Sequence, residues 1–135
     1  MPGQDEPPFP ADGILWRDWS DETQSLIAER GRPVLLFVAD PDPFVWPFLR
    51  EIFKAMPANT TLRELLHKAC IPLFIKADEL PIELNALGAG SSYQIAILSP
   101  YGLTPMVTIN PVHGNPAEVV DEIVLALERI AAAWQ

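Results

Sequence analysis

The 135-residue chain is short of the groups that carry reactive chemistry: it has one cysteine, Cys70, and two histidines, His67 and His113. A single thiol excludes an internal disulfide and a cysteine-only metal site. The histidines lie far apart, with no second ligand at metal-site spacing, so no metal and no cofactor are expected. Basic residues are also scarce, nine against eighteen acidic ones, for a net charge of -9. Beyond Lys76 only Arg129 opposes Asp78, Glu79, Glu83, Glu118, Asp121, Glu122 and Glu128. Such a field argues against nucleic acid or an anionic membrane as a partner. No apolar run approaches the roughly 18 residues of a membrane span, and residues 1 to 10 have neither the basic nor the apolar region of a secretory signal. A cytoplasmic protein without membrane insertion is the expectation. Gly88-Ala-Gly90 lacks the preceding strand, following helix and lysine of a phosphate loop. No Gly-x-Ser-x-Gly elbow occurs, and Ser91 and Ser92 have no recognisable base.

What is present is an ordinary globular composition, 49% apolar and 20% charged, enough for one domain with a real core. Residues 1 to 12 hold four prolines and three carboxylates around Phe9 and read as a disordered acidic tail, leaving 13 to 135 as the domain. Ile14-Leu15-Trp16 is a short strand candidate. Ser20 can cap a helix over 21 to 30, and Gly31 can stop it. Pro33 to Asp40 is a continuous run of Val, Leu and Phe suited to a central strand covered on both faces. Asp42-Pro43 supplies a cap and a proline for a helix running to about Met56, with a bend at Pro47 and a core stripe of Val45, Leu49, Ile52 and Met56. The capping box Thr61-Leu-Arg-Glu64 opens a further helix with Leu62, Leu65, Leu66 and Ala69 on one side, although Asn59-Thr-Thr61 is also a helix start. Ile71 to Ala77 reads as a second parallel strand and 81 to 87 as a short helix. Gln94 to Ser99 and Met106 to Ile109 form a hairpin. Asn115-Pro116 with Glu118 then opens the last helix, whose stripe is Val120, Ile123, Val124, Leu127, Ile130, Ala131 and Trp134.

The order β-α-β-α-α-β-α-β-β-α, and the segments Trp16-Arg-Asp-Trp19, Ala28-Glu-Arg-Gly-Arg-Pro-Val-Leu-Leu36, Pro72-Leu-Phe-Ile-Lys-Ala-Asp78 and Leu98-Ser-Pro-Tyr-Gly102, resemble the thioredoxin domain of the spermatogenesis-associated, thioredoxin-like family and its bacterial relatives. The resemblance covers residues 14 to 134. It implies an α/β, thioredoxin-like three-layer fold. Its central mixed sheet would have four to five strands, parallel ones plus a C-terminal antiparallel hairpin, flanked by helices. In that family the strand-to-helix turn resembles Cys-His-Trp-Cys-His, where the helix N-terminus makes the first thiol a nucleophile. Aligned on Trp46, this chain has Phe44 and Pro47 at the two cysteine positions, and Tyr93 where the family places a cis-proline. The resemblance therefore implies a degenerate, redox-inactive centre with no catalytic residue.

An apolar patch takes the place of that centre in this reading. The turn at 41 to 48, the loop at 91 to 94 and the loop at 110 to 114 would meet at one end of the sheet, and Phe44, Val45, Trp46, Pro47, Tyr93 and Val112 would bind a protein or peptide partner. Trp46 is the leading candidate, on the expectation that the helix tip faces solvent; the competing reading packs Phe44 and Phe48 under the last helix. Asp40 and Asp42 read as helix-capping groups rather than a general acid. Lys76 and Asp78 read as surface residues. Cys70, between a helix and a strand, reads as a buried inert thiol. The alternatives are a thiol-dependent redox protein using Cys70, a small-molecule-binding domain, and a structural subunit presenting the acidic face Glu118, Asp121, Glu122 and Glu128 to a basic partner. The oligomeric state is open.

Overall fold

The computed structural model describes residue 14 and residues 16–39, 43–76, 79, 95–112 and 115–134, the side chain of residue 134 excepted. The expected helix at 81 to 87, the loop at 88 to 92, Tyr93, Asp40, Asp42, Asp78 and His113 lie outside the described residues, as does the tail before residue 13. The described elements run α1 (Asp21–Arg30), β1 (Val34–Ala39), α2 (Trp46–Ala55), a 3-10 turn (Met56–Ala58), α3 (Thr60–Lys68), β2 (Ile71–Lys76), β3 (Ile95–Leu98), β4 (Pro105–Ile109) and α4 (Pro116–Trp134). Four strands make one mixed α/β sheet in the order β2-β1-β3-β4. β1 and β2 are parallel; β1 with β3, and β3 with β4, are antiparallel.

Burial explains why β1 takes the centre. All of Val34 to Val38 is enclosed, which requires cover on both faces of the sheet. Strand side chains alternate between faces, so Leu35, Phe37, Phe74, Ile95, Ile97 and Ile109 share one core with Leu49, Ile52 and Phe53 of α2, Leu62 and Leu66 of α3, and Val119, Val120, Ile123 and Leu127 of α4. Val34, Leu36, Val38, Ile71, Leu73, Ile75, Ala96 and Leu98 face the other way, against Ile27 and Leu26 of α1, Trp19 and Leu103. Within the first core four rings meet. Phe37 and Phe74 are register partners on the parallel pair, with centroids 5.9 Å apart, and Phe53 approaches both at 5.1 Å. Trp16 stacks on Phe53 at 5.3 Å, tying the segment before α1 to α2.

The helix ends follow local chemistry. Ser20 Oγ accepts from Thr23 N–H at 3.2 Å, and Gly31 takes a left-handed φ of 60° to close α1. At α4 the expected capping box forms in both directions: Glu118 N–H donates to Asn115 Oδ1 at 2.9 Å, and Asn115 N–H donates to Glu118 Oε1 at 3.1 Å. Its buried stripe also takes in Val119, which the helical spacing had not singled out.

Four expectations are corrected. Of the first strand candidate, Ile14 and Trp16 lie in no strand, and the pairing comes one residue later as a single parallel bridge of Arg17 with Leu73, held by Arg17 N–H to Pro72 C=O at 3.0 Å and Phe74 N–H to Arg17 C=O at 2.9 Å. α3 is capped by Asn59, whose Oδ1 accepts from Leu62 N–H at 2.9 Å, so Thr61 lies inside the helix rather than at its cap. α2 starts at Trp46, with Val45 as its cap residue and no capping side chain, instead of starting at Pro43. Pro47 consequently falls in the first turn, where its missing N–H would have had no intrahelical acceptor, and the expected bend has no cause.

Candidate functional site

β1 and β2 finish at one end of the sheet. Ala39 pairs with Lys76 there, and the antiparallel register brings Ile95 and Ile109 beside Phe37, so β4 leaves the sheet at this same end. Two turns rise from it. Residues 43–45 lead into α2, where Phe48 and Leu49 N–H groups both donate to Val45 C=O, at 3.0 and 3.1 Å. After β4, Asn110 Oδ1 accepts from Val112 N–H at 2.9 Å, an Asx turn that fixes the chain direction.

The side chains on these turns divide. Phe44 is 82% exposed, Phe48 41% and Val112 46%. Pro47 is exposed as well. Val45 and Trp46 are half-buried and pack against the main core. This reverses the expected ranking: Trp46 leans on the core as part of the α2 root, while Phe44 and Phe48 face water instead of lying beneath α4. Position on the helix explains Phe48, since Leu49, Ile52, Phe53 and Met56 already fill the inward face of α2 and its extension, while Phe44 precedes the helix in the 43–45 turn. Tyr93 is outside the described residues. Residues 43–48 and 110–112 carry no titratable side chain, so these segments can bind by apolar contact and backbone hydrogen bonding but can move no proton.

Cys70 sits at the opposite end, between α3 and β2, 3% exposed. Desolvation pushes its thiol up to about 12, against a smaller opposing influence from the Arg32 positive charge. A thiol so placed is the reverse of an activated nucleophile. His67 is exposed in the last turn of α3. Among the described residues no three His, Cys, Asp or Glu side chains gather closely enough to hold a metal ion. Glu118, Asp121, Glu122 and Glu128 are all exposed on α4. No described helix is long and apolar enough to cross a membrane.

Sequence reasoning passed over one feature. Beside Cys70 lies a cleft of about 550 Å³ whose lining includes Arg17, Arg30, Arg63 and Lys68. These residues are scattered along an acidic chain, and no local motif marks them. No family model matches the chain, and no curated protein or solved structure matches it either.

Proposed function

We propose that the chain is a cytoplasmic, thioredoxin-like interaction module without disulfide chemistry, an adaptor, assembly factor or chaperone-like subunit. It holds a protein or peptide through the end of the sheet from which residues 43–48 emerge. The observation that carries this reading is the exposure of Phe44 and Phe48 at the root of α2, with Val112 on a second turn at the same sheet end. Exposed apolar ring surface at a convergence of turns suits an interface anchor. The strand order β2-β1-β3-β4, with its parallel pair, its hairpin and a closing helix, is in keeping with a thioredoxin-like arrangement. Phe44 and Pro47, in place of the resembled family's two cysteines, count against thiol exchange at this end. The burial of Cys70 counts against moving that chemistry elsewhere.

The test uses Phe44→Ala and Phe48→Ala, singly and together, in affinity capture followed by binding measurement on whichever partner is specifically retained. An aromatic anchor is worth about 2 kcal/mol or more, so each truncation at the anchor should weaken binding roughly thirtyfold. Leu125→Ala, an exposed position on α4, should change nothing. If the double variant stays folded and keeps every partner at unchanged affinity, the reading is wrong.

A further inference from the structure

We propose that the cleft beside Cys70 is a binding site for the phosphate group of a small molecule, separate from the apolar end of the sheet and independent of the function proposed above. Arg17 stands beside β2 through its bridge to Leu73, Arg30 ends α1, and Arg63 and Lys68 lie on α3. All four line one cleft with Thr60, Glu64 and His67, while Ile14, Leu66, Cys70, Ile71 and Pro72 form its apolar part. A volume of about 550 Å³ falls within the range of small-ligand sites. Four of the chain's nine basic residues are thus gathered at one place on a protein of net charge -9.

The usual reason for cations at such places is only part of the account. Arg30 and Lys68 lie in the last turns of α1 and α3, where positive side chains offset the helix dipole. Arg17 and Arg63 have no such role. Four basic residues therefore line the cleft with Glu64 as its one acidic residue, and two of them lie at helix ends worth about half a negative charge each. Arg17 also borders a second groove lined by Asp21, Glu22 and Glu29. Among the described residues the ion pairs within 4.0 Å are those of Glu51 with Arg50 and Lys54, and none involves a cleft cation. Guanidinium forks match phosphate oxygens, and the apolar wall can take the organic part of the molecule. The overall negative charge does not defeat this. It disfavours a long polyanion, but a small anion inside the cleft is within a Debye length of about 8 Å of the local cations and is screened from distant acids.

Inorganic pyrophosphate and ADP are the probes, followed by calorimetry and by amide chemical shifts of the full chain. Saturable binding should move amides of residues 63–72, weaken as salt rises from about 50 to about 200 mM, and fall about tenfold or more in Arg63→Gln/Lys68→Gln. Both residues are exposed, so the variant should keep its fold. Arg50→Gln/Lys54→Gln, which removes the same charge from α2, should bind as wild type. Tighter binding of ADP than of pyrophosphate identifies a nucleotide source, and equal binding identifies free phosphate; either upholds the site. The proposal is overturned if neither probe saturates by about 10 mM, or if the α3 and α2 double variants lose affinity equally.

Discussion

Raising the pH on the wild-type chain and on Cys70→Ala isolates what burial does to the one thiol. In the folded chain Cys70 holds its proton up to about 12, against an ordinary value of 9.0, because desolvation penalises the thiolate and Arg32 only partly offsets this. A group that binds its proton more tightly when folded contributes stability that is fully present below the unfolded value and is lost as pH climbs towards the folded one. Between those limits the unfolded chain has released a proton that the folded chain keeps, so stability falls by roughly 1.4 kcal/mol per pH unit. The wild type should therefore lose about 1 kcal/mol relative to Cys70→Ala by about pH 10 and about 3 kcal/mol by about pH 11. The alanine variant carries its own packing cost, but as a constant offset that leaves the slope alone. Urea denaturation at closely spaced pH values supplies the two curves, and subtracting them removes the lysine and tyrosine contributions they share. The same burial leaves on the order of one thiolate in 10⁵ at neutral pH, so native labelling by a thiol reagent should be slow and should speed up as denaturant is added. Parallel stability curves from about pH 8 to about pH 11, with rapid labelling of the native chain, would refute the reasoning and reopen a redox role for Cys70.

Three further outcomes are expected. Phe53→Ala removes the ring that touches Trp16, Phe37 and Phe74, and should cost about 3–5 kcal/mol in chemical denaturation, with Phe53→Leu well below that. Gly31→Ala should cost about 1–2 kcal/mol, because a side chain at φ 60° is strained and its methyl would lie 3.1 Å from the Tyr101 hydroxyl; a neutral result in thermal melts would contradict the α1 cap geometry. Pro47→Ala should change stability by less than about 1 kcal/mol and lower it if anything, whereas a gain near 3 kcal/mol would mean that the proline lies in a helix interior after all.

Much of the scaffold was legible because its signals are local. Ser20 and Gly31 bracket α1, Asn115 and Glu118 open α4, and the unbroken apolar run of β1 announces a strand covered on both faces. Where two local signals competed, reading by spacing chose wrongly. Asp42-Pro43 and Trp46-Pro47 both offer a proline near a helix start, and the second is the one used. Asn59 likewise takes the cap from Thr61, two residues earlier than the Thr-Leu-Arg-Glu box suggests.

The apolar end of the sheet was half legible. Phe44, Trp46 and Val112 could be gathered there from the element order, but which ring meets water depends on how α2 rolls against the core. That roll is decided by the fit of Leu49, Ile52 and Phe53 against β1 and α4. The basic cleft was not legible at all. Local chemistry determines helices, strands and caps, since each depends on a few adjacent residues. Arg17, Arg30, Arg63 and Lys68 meet only because a chain segment pairs beside β2 while α1 and α3 end near the same edge. Their nearness is a property of long-range packing, and a sequence that is acidic on average conceals a charge that is positive in one place.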